Sequence, residues 1–303
     1  SALRDAGKAA KNATLFVTLE PCSTCGWTPA CTDAILKAGI TKVVVGCVDP
    51  NPAHAGHGLD LLREQGVEVV EGVLEGECTH LIRAFTLVQE TGLPYVSLKM
   101  ACTLDGRIAD ADGKSKWITG PESRERVQQL RRECDAILVG TGTVVEDNPT
   151  LLPRPRKGRT PLRIIPDRQG RLPLTRTVFS DGEPTLCLLG PEVSASRKRA
   201  LERRGVEWME VPVSGDRIAW RETGFLLVKR GVQHILCEGG GQLTSALLKA
   251  ELVQELHWMT APTLLGMDGR PAVAEGWSLK EAPQFHIEAA EQCGKDLWVI
   301  LRA

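Results

Sequence analysis

The sequence lacks the long apolar run that a membrane-spanning helix requires. No stretch of about eighteen consecutive apolar residues occurs in the chain, which excludes a transmembrane helix. The first residues also lack the basic and then apolar pattern of a secretory signal peptide. We therefore expect a cytoplasmic protein, in a compartment whose reducing conditions keep cysteines as thiols.

An excess of charge of one sign is missing as well. The chain has 37 Lys and Arg against 38 Asp and Glu, a formal net charge of −1. Binding to DNA or RNA depends largely on neutralising many phosphates, so this balance and the absence of basic or stacking clusters argue against nucleic-acid partners. Any anion that the protein binds must be met by a few local side chains.

What is present indicates a folded protein of about two domains. Its 303 residues are 42% apolar, and apolar runs alternate with segments of helical period, which predicts an α/β fold with a largely parallel sheet. The Gly and Pro of residues 90–94 predict a domain boundary, which divides the chain into one domain of residues 1–91 and a second of residues 92–303. Strands are predicted at residues 14–19, 42–48, 67–70, 95–100, 136–139, 162–165, 185–189 and 234–237, and helices at 2–10, 31–38, 59–65, 123–132, 195–204 and 242–252.

Ten cysteines are too dilute for a disulfide-stapled miniprotein, but three of them lie close together. Cys22, Cys25 and Cys31 lie between a predicted strand and a predicted helix, where thiolates can hold Zn²⁺. Zinc nucleobase deaminases use Pro-Cys after a strand, a second Cys entering a helix, and a His-x-Glu on a preceding helix. The alternatives are three packed cysteines or a structural zinc ribbon, for which Cys47 and Cys78 are badly spaced. A Cys-x-x-Cys pairing selects Cys25 as the second ligand.

Four segments around this cluster resemble a known family. They are residues 18–23, 28–35, 48–52 and 56–58, which read TLEPCS, TPACTDAI, VDPNP and GHG. They are similar to the deaminase domain of the bifunctional riboflavin-biosynthesis deaminase/reductase family. The resemblance implies that Cys22 and Cys31 are the zinc ligands, that Cys25 is not, and that residues 1–91 are part of a cytidine-deaminase-like three-layer domain.

Two features depart from that family. Its His-Ala-Glu segment, which supplies the zinc histidine and the proton-shuttling glutamate, is absent from the sequence, so we expect either an N-terminally truncated chain or an inactive deaminase. Trp27 stands where the family usually carries Arg or Lys. Because an indole cannot neutralise an anion, this residue argues against binding of a substrate phosphate at the loop.

Three segments of the second half suit ligand binding. Residues 238–241, EGGG, follow a predicted strand and precede a helix, so their bare N–H groups can receive a nucleotide phosphate, although a tight turn explains the same glycines. Residues 115–122 open a helix, and capping accounts for this segment except for its isolated Trp117. A further strand breaks into small residues before Glu146 and Asp147, which suit either proton transfer or a solvated turn.

With residues 98–107, these segments resemble the reductase domain of the same family, which implies a dihydrofolate-reductase-like fold that uses NADPH. The matching motifs are Lys-x-Ala-x-x-Leu-Asp-Gly-Arg, Ser-x-Trp-Ile-Thr-Gly, Asp-Ala-Ile-Leu-Val-Gly-x-Gly-Thr-Val, Asp-Asn-Pro-x-Leu and Glu-Gly-Gly. The resemblance implies that Asp147 is the catalytic carboxylate near the ribosyl carbon. It implies a substrate site formed by Lys99, Ser115, Arg131, Leu151, Arg154 and Glu238. It implies an NADPH site formed by Ala101, Trp117, Thr143, Gly240, Gly241, Gln242, Leu243, Thr244, Ser245 and Ala246.

The predicted protein is a two-domain enzyme of riboflavin biosynthesis. Its reductase converts 5-amino-6-(5-phosphoribosylamino)uracil to the ribityl product, and its zinc deaminase acts on the preceding diaminopyrimidine phosphate. We expect small-molecule substrates, a homo-oligomer, and a strand that ends or bulges at Pro166, which has no N–H. One alternative is a reductase with a vestigial deaminase domain. Another is a zinc-structured module that binds nucleotides or RNA without catalysis.

Overall fold

The computed structural model describes residues 2–25, 29–156 and 158–303. The chain forms two compact units, Ser1–Gly92 and Leu93–Ala303. Trp27, the residue that argues against binding of a substrate phosphate at its loop, lies outside the described residues. Within the described ranges, no helix combines the length and the apolar character needed to cross a membrane.

The first unit is a small parallel sheet flanked by helices. Its elements are α1 (Ala2–Ala6), a 3-10 helix (Gly7–Ala10), β1 (Thr14–Leu19), α2 (Cys31–Ala38), β2 (Lys42–Cys47), α3 (His57–Glu64), β3 (Glu68–Val70), α4 (Glu75–Leu81) and α5 (Arg83–Thr91). The three strands are parallel in the order β1-β2-β3. Ile35 of α2, Leu59 and Leu62 of α3, and Val43 and Val45 of β2 share one buried cluster, so both helices pack on the central strand.

The second unit is larger and carries most of the predicted site residues. Its elements are β4 (Tyr95–Thr103), β5 (Arg107–Ala109), α6 (Pro121–Glu133), β6 (Ala136–Leu138), α7 (Thr141–Asp147), β7 (Leu162–Ile165), a 3-10 helix (Thr177–Phe179), β8 (Thr185–Leu189), α8 (Ala195–Glu202), β9 (Glu207–Glu210), β10 (Val213–Ser214), β11 (Arg217–Ile218), α9 (Trp220–Lys229), β12 (His234–Cys237), α10 (Gly241–Lys249), β13 (Val253–Ala261), β14 (Arg270–Pro271), β15 (His286–Cys293) and β16 (Asp296–Arg302).

One sheet organises this unit, in the strand order β15-β16-β13-β4-β12-β6-β7-β8-β9. Neighbours from β13 to β9 are parallel, whereas β16 and β15 extend the sheet antiparallel. Strand β12 comes after β4 and β6 in the sequence, but it lies between them in the sheet. Because β12 and β6 are parallel neighbours, α10 and α7 begin side by side at the same edge. Ligands of open parallel sheets bind beyond the carboxyl ends of the strands, at such a change of strand order.

Most of the predicted strands and helices are present, with shifts at their ends. Strand β7 ends at Ile165, which confirms that Pro166 stops it. The predicted end of the last helix, residue 252, is wrong: α10 stops at Lys249, and Glu251 takes a left-handed backbone conformation (φ 55°) before β13. The first predicted helix is also wrong in part, because it changes to a 3-10 helix at Gly7. The elements that the sequence did not predict include helices α4, α7 and α9 and strands β5, β9, β10, β11 and β13 to β16.

Candidate active site

Cys22 and Cys31 lie side by side in the first unit. Cys31 is the first residue of α2, and its N–H donates a hydrogen bond to the Sγ of Cys22 at 3.3 Å. Burial, followed by the hydrogen bond and the charge of Cys22, raises the pKa of Cys31. The two cysteines that the family resemblance selects are therefore neighbours in space, at the start of a helix.

Two adjacent thiols suit zinc, which in proteins takes sulfur and nitrogen ligands. A catalytic zinc needs a third protein ligand. In the part of the chain that the structure describes, no group of three or more His, Cys, Asp and Glu side chains is placed to hold a metal. Cys22 and Cys31 thus fit as two ligands of a zinc site, and the described residues alone do not complete a deaminase centre.

Glu20, which the sequence did not single out, holds the loop beside this cysteine pair. Its side chain is buried, and its carboxylate accepts hydrogen bonds from the N–H groups of Asp49 (3.0 Å), Gly56 (2.9 Å) and Gly58 (2.8 Å). The loop packs closely, because a Cβ on Gly58 would stand 2.0 Å from the carbonyl oxygen of Pro21. A glutamate directly before Pro-Cys, at the end of a strand, was the signal available in the sequence.

The second unit contains a cavity of about 670 Å³ beside β4 and beyond the ends of β6 and β12, which we call the first cavity. All residues of the predicted substrate site line it, together with Asp147: Lys99, Ser115, Arg131, Leu151, Arg154 and Glu238. Its cationic side chains outnumber its two carboxylates, and they are those of Lys99, Lys116, Arg124, Arg131 and Arg154. The first cavity therefore favours an anionic ligand, although the whole chain is nearly neutral.

Arg131 and Glu238 form a largely buried ion pair at the first cavity. Two parallel hydrogen bonds join the guanidinium to the carboxylate, at 2.6 and 2.9 Å. Burial alone would lower the pKa of Arg131 and raise that of Glu238, but the attraction between the two charges reverses both shifts, so the pKa of Arg131 is raised and that of Glu238 is lowered. Both groups therefore stay charged across the neutral range.

Lys99 lies on β4 next to this pair. Burial is the main cause that lowers the pKa of Lys99, and the positive charge of Arg131 adds to it, while Glu238 and Asp147 oppose the shift. The ammonium group therefore loses its proton at a lower pH than an exposed lysine does. A lysine of this kind can serve both as a binding cation and as a proton donor.

Asp147 is the last residue of α7 and borders the first cavity with about a third of its side chain exposed (34%). The hydroxyl of Ser115 donates a hydrogen bond to its Oδ1 at 3.4 Å, and the Nζ of Lys116 lies 3.6 Å from the same atom. Asn148 then takes a left-handed conformation (φ 43°), which turns the chain away from the helix. The carboxylate is thus held in a cleft, whereas the neighbouring Glu146 pairs with Arg270.

A second cavity, of about 910 Å³, lies beyond the starts of α7 and α10. The two cavities meet at five shared lining residues, Ile108, Ser115, Thr143, Asp147 and Gly240. Most of the predicted cofactor residues line it: Thr143, Gly240, Gly241, Gln242, Leu243 and Ala246. Ala101 and Trp117 line the first cavity instead. Thr244 and Ser245 are buried and border neither cavity. The hydroxyl of Ser245 accepts the N–H groups of Ala274 and Glu275, both at 3.0 Å, so its contacts position the wall.

The glycines at the start of α10 divide into two kinds. A Cβ on Gly241 would stand 2.5 Å from the carbonyl oxygen of Pro271, and one on Gly239 would stand 2.6 Å from the Cδ2 of Leu243, so packing requires both. A Cβ on Gly240 would meet only an Ile108 methyl, at 3.7 Å. The bare backbone at Gly240 therefore faces open space, which fits close approach of a phosphate to the helix start.

Trp117 stands at the first cavity with 69% of its surface exposed. The guanidinium of Arg124 lies over the indole of Trp117, 4.6 Å from the centre of a ring. The helix that follows is capped by a residue that the sequence did not reveal, because the buried carboxylate of Asp296 accepts the N–H of Gly120 at 2.7 Å and the hydroxyl of Ser123 at 2.6 Å. Capping thus explains the start of α6, and Trp117 remains available to a ligand.

Comparisons with known proteins match both units. Residues 94–299 match the family described as RibD C-terminal domain, and residues 1–47 match the cytidine and deoxycytidylate deaminase zinc-binding region. The chain is 38% identical over 301 residues to the riboflavin biosynthesis protein RibD of Bacillus amyloliquefaciens, covering 98% of this chain and 81% of that protein. It is 37% identical over 318 residues to RibD of Escherichia coli, covering 98% and 83%. The chain belongs to the RibD family.

Solved RibD structures share the fold. RibD of Acinetobacter baumannii, form 1, superposes with a TM-score of 0.88 at 36% identity, covering 99% of this chain and 83% of that one. A Thermotoga maritima structure, a diaminohydroxyphosphoribosylaminopyrimidine deaminase/5-amino-6-(5-phosphoribosylamino)uracil reductase, gives a TM-score of 0.85 at 34% identity, covering 99% and 83%.

Membership of the RibD family confirms the predicted fold class, a cytidine-deaminase-like region followed by a reductase domain. It also confirms the predicted function, a deaminase and an NADPH-dependent reductase of riboflavin biosynthesis that act on small pyrimidine substrates. The match of the first unit to a zinc-binding region supports this combination over the two alternatives.

Proposed function

We propose that the two cavities of this RibD protein bind the two reactants of the reductase reaction, one in each cavity. The first cavity takes 5-amino-6-(5-phosphoribosylamino)uracil, and the second takes NADPH. The observation that carries this assignment is that Asp147 borders both, where a cation-rich cavity meets one that opens at a glycine-rich helix start. In this proposal residues 92–303 are the reductase domain and residues 1–91 belong to the deaminase.

The substrate phosphate needs a cation that is not already neutralised. Arg131 is committed to Glu238 by two hydrogen bonds. Arg154 lines the first cavity, is exposed, and forms no ion pair with the residues that the structure describes. We therefore assign the phosphate to Arg154, because a guanidinium can pair with phosphate through two hydrogen bonds. In this assignment Arg131 fixes Glu238 beside the ribosylaminouracil, and Lys99 lies next to the same part of the substrate.

NADPH, when bound, supplies the hydride that reduces the ribosyl carbon. The open backbone at Gly240 and the start of α10 suit its diphosphate. Ser115 and Lys116 hold the Asp147 carboxylate at the junction of the cavities. There the carboxylate can hold or move the proton at the ring oxygen or the imine nitrogen of the substrate. This proton must be transferred as the ribosyl ring opens to the ribityl chain.

The reductase assignment is tested with purified protein, NADPH and the phosphorylated substrate. We expect substrate-dependent loss of NADPH absorbance and a product heavier than the substrate by two hydrogens in mass spectrometry. The same substrate without its phosphate is the control, and it should react much more slowly because the cations of the first cavity are left unmatched. No NADPH consumption with the phosphorylated substrate, although NADPH binds, would contradict the assignment.

We further propose that Cys22 and Cys31 are two ligands of the deaminase zinc; their adjacency supports this. We also propose that the protein works in the cytoplasm as a homo-oligomer and binds no nucleic acid. The cytoplasmic location is supported by seven buried cysteines that are free thiols. The absence of nucleic-acid binding is supported by the balance of 37 basic and 38 acidic residues.

A further inference from the structure

The loop that carries Arg154 is held by three side chains of helix α6. The N–H of Arg154 donates a hydrogen bond to the Oε1 of Gln128 at 2.9 Å, and its carbonyl oxygen accepts one from the Nη1 of Arg132 at 3.3 Å. The Nη1 of Arg131 donates to the carbonyl oxygen of Leu152 at 3.3 Å. Residues three and four positions apart lie on the same face of a helix, so one side of α6 fixes this loop.

Gln128 uses both ends of its amide in this arrangement. Its Oε1 accepts the N–H of Arg154, while its Nε2 donates to the carbonyl oxygen of Arg124 at 3.4 Å. An N–H can only donate and a carbonyl oxygen can only accept, so the two partners fix the orientation of the amide. An ionised carboxylate has no donor, and an apolar side chain has neither group. The two contacts therefore require an amide at this position.

Arg154 lies where the loop leaves the protein interior. Leu151 and Leu152 are each 2% exposed, whereas Arg154 is exposed and lines the first cavity. Because the N–H and the carbonyl oxygen of Arg154 are both bonded to α6, its backbone is already ordered before a ligand binds. A bound anion then has to order only the side chain, which lowers the entropic cost of binding.

We propose that Gln128 is a positioning residue for the substrate phosphate: it fixes the backbone of Arg154 so that the guanidinium meets the phosphate, and it thereby strengthens the preference for a phosphorylated substrate. This inference rests on the assignment of the phosphate to Arg154 in the proposed function. Gln128 also lines the first cavity, but it is uncharged and both ends of its amide are engaged. Its effect on the phosphate therefore passes through Arg154.

The test compares the substrate with and without its phosphate. Gln128→Met removes the acceptor of the Arg154 N–H and keeps a long, unbranched side chain that favours a helix. We expect kcat/KM for the phosphorylated substrate to fall about 3- to 10-fold, the effect of losing one hydrogen bond, with the change mainly in KM. The value for the substrate without its phosphate should stay within about twofold, because that substrate does not engage Arg154.

Gln129→Met is the matched control for this variant. Gln129 is the next residue of α6, but it is exposed and borders neither cavity. The same substitution there should leave kcat/KM unchanged for both substrates.

A double variant shows whether the effect passes through Arg154. Arg154→Gln alone should reduce the preference for the phosphorylated substrate, because it removes the charge that meets the phosphate. Gln128→Met added to Arg154→Gln should cause no further loss, since two residues that act through one contact are not additive.

Three results would overturn the role of Gln128. They are an equal fall with both substrates in Gln128→Met, an unchanged phosphate preference in that variant, and a full further loss when it is added to Arg154→Gln. If Arg154→Gln loses the phosphate preference while Gln128→Met retains it, this inference fails and the proposed function stands. An unchanged preference in Arg154→Gln would contradict the proposed phosphate assignment and this inference with it.

Discussion

Arg131 and Glu238 are 107 residues apart in the sequence, yet their side chains meet in the first cavity through two hydrogen bonds of 2.6 and 2.9 Å. The guanidinium is 16% exposed and the carboxylate 8%. Removing one member of a shielded ion pair leaves the other charge without a partner, which costs about 3 kcal/mol or more. We therefore expect Glu238→Gln to lower the free energy of unfolding by about 3 kcal/mol, measured by urea denaturation.

Glu291→Gln is the matched control for that variant. Glu291 pairs with Arg126 at the surface, where both side chains are more than a third exposed, so its loss should cost less than about 1 kcal/mol. The lowered pKa of Glu238 fixes the pH dependence: its contribution is complete above the ordinary glutamate value of 4.5 and is lost as the pH falls from there through the lowered value. Equal costs for the two variants at neutral pH would contradict this prediction.

The pKa of Lys99 predicts the alkaline limit of activity. Burial lowers the pKa of Lys99 below its ordinary value of 10.5, so the first cavity loses this positive charge at a lower pH than an exposed lysine would. We expect kcat/KM for the phosphorylated substrate to fall on the alkaline side below that ordinary value. In Lys99→Arg the limb should move to higher pH, because a guanidinium stays protonated. A limb that stays in place in this variant would rule out Lys99 as its origin.

The zinc assignment predicts a contrast among three cysteines. Titration with Zn²⁺, followed by equilibrium dialysis and metal analysis, should show weaker binding in Cys22→Ala and in Cys31→Ala, because each loses a sulfur ligand. Cys25→Ala serves as the control and should bind zinc like the wild type. If Cys25→Ala loses zinc while Cys31→Ala retains it, the Cys-x-x-Cys pairing is the correct one.

The packing of the loop beside Cys22 predicts a stability difference between two glycines. In Gly58→Ala the new Cβ would stand 2.0 Å from the carbonyl oxygen of Pro21, so the backbone must shift and the protein should lose about 1–3 kcal/mol. Gly76 lies in α4 with open space around it, so Gly76→Ala should be neutral or stabilising by up to about 1 kcal/mol. Thermal unfolding of both variants compares them, and an equal melting temperature would be inconsistent with this packing.

Apolar patterns predicted the strands that consist mostly of buried apolar residues, such as β8 and β12. They missed β13, because its interior carries Glu255 and His257, which pair with each other at 2.6 Å and are buried. They missed α7 because Thr141, Gly142 and Thr143 all disfavour a helix, and its formation depends on tertiary packing, with the side chain of Val144 fully buried.

Most of the site residues that the sequence suggested line one of the two cavities, but the sequence did not show how they divide between the cavities. Ala101 and Trp117 line the first cavity although the resemblance assigns them to the cofactor. Only the folded chain shows that Arg131 is engaged by Glu238, and the proposed assignment of the phosphate to Arg154 rests on this pairing. These relationships depend on contacts between residues that are far apart in the sequence, and the spacing of residues along the chain does not predict such contacts.

In the proposed reaction, Asp147 moves a proton where the two cavities meet. The most direct test is Asp147→Asn, with NADPH affinity measured by calorimetry and NADPH consumption measured with saturating phosphorylated substrate. The amide keeps the size of the side chain but cannot hold the proton as a carboxylate does, so NADPH affinity should stay within about twofold while kcat falls by about 10²-fold or more. A variant that turns over at the wild-type rate would remove Asp147 from the mechanism and contradict this assignment.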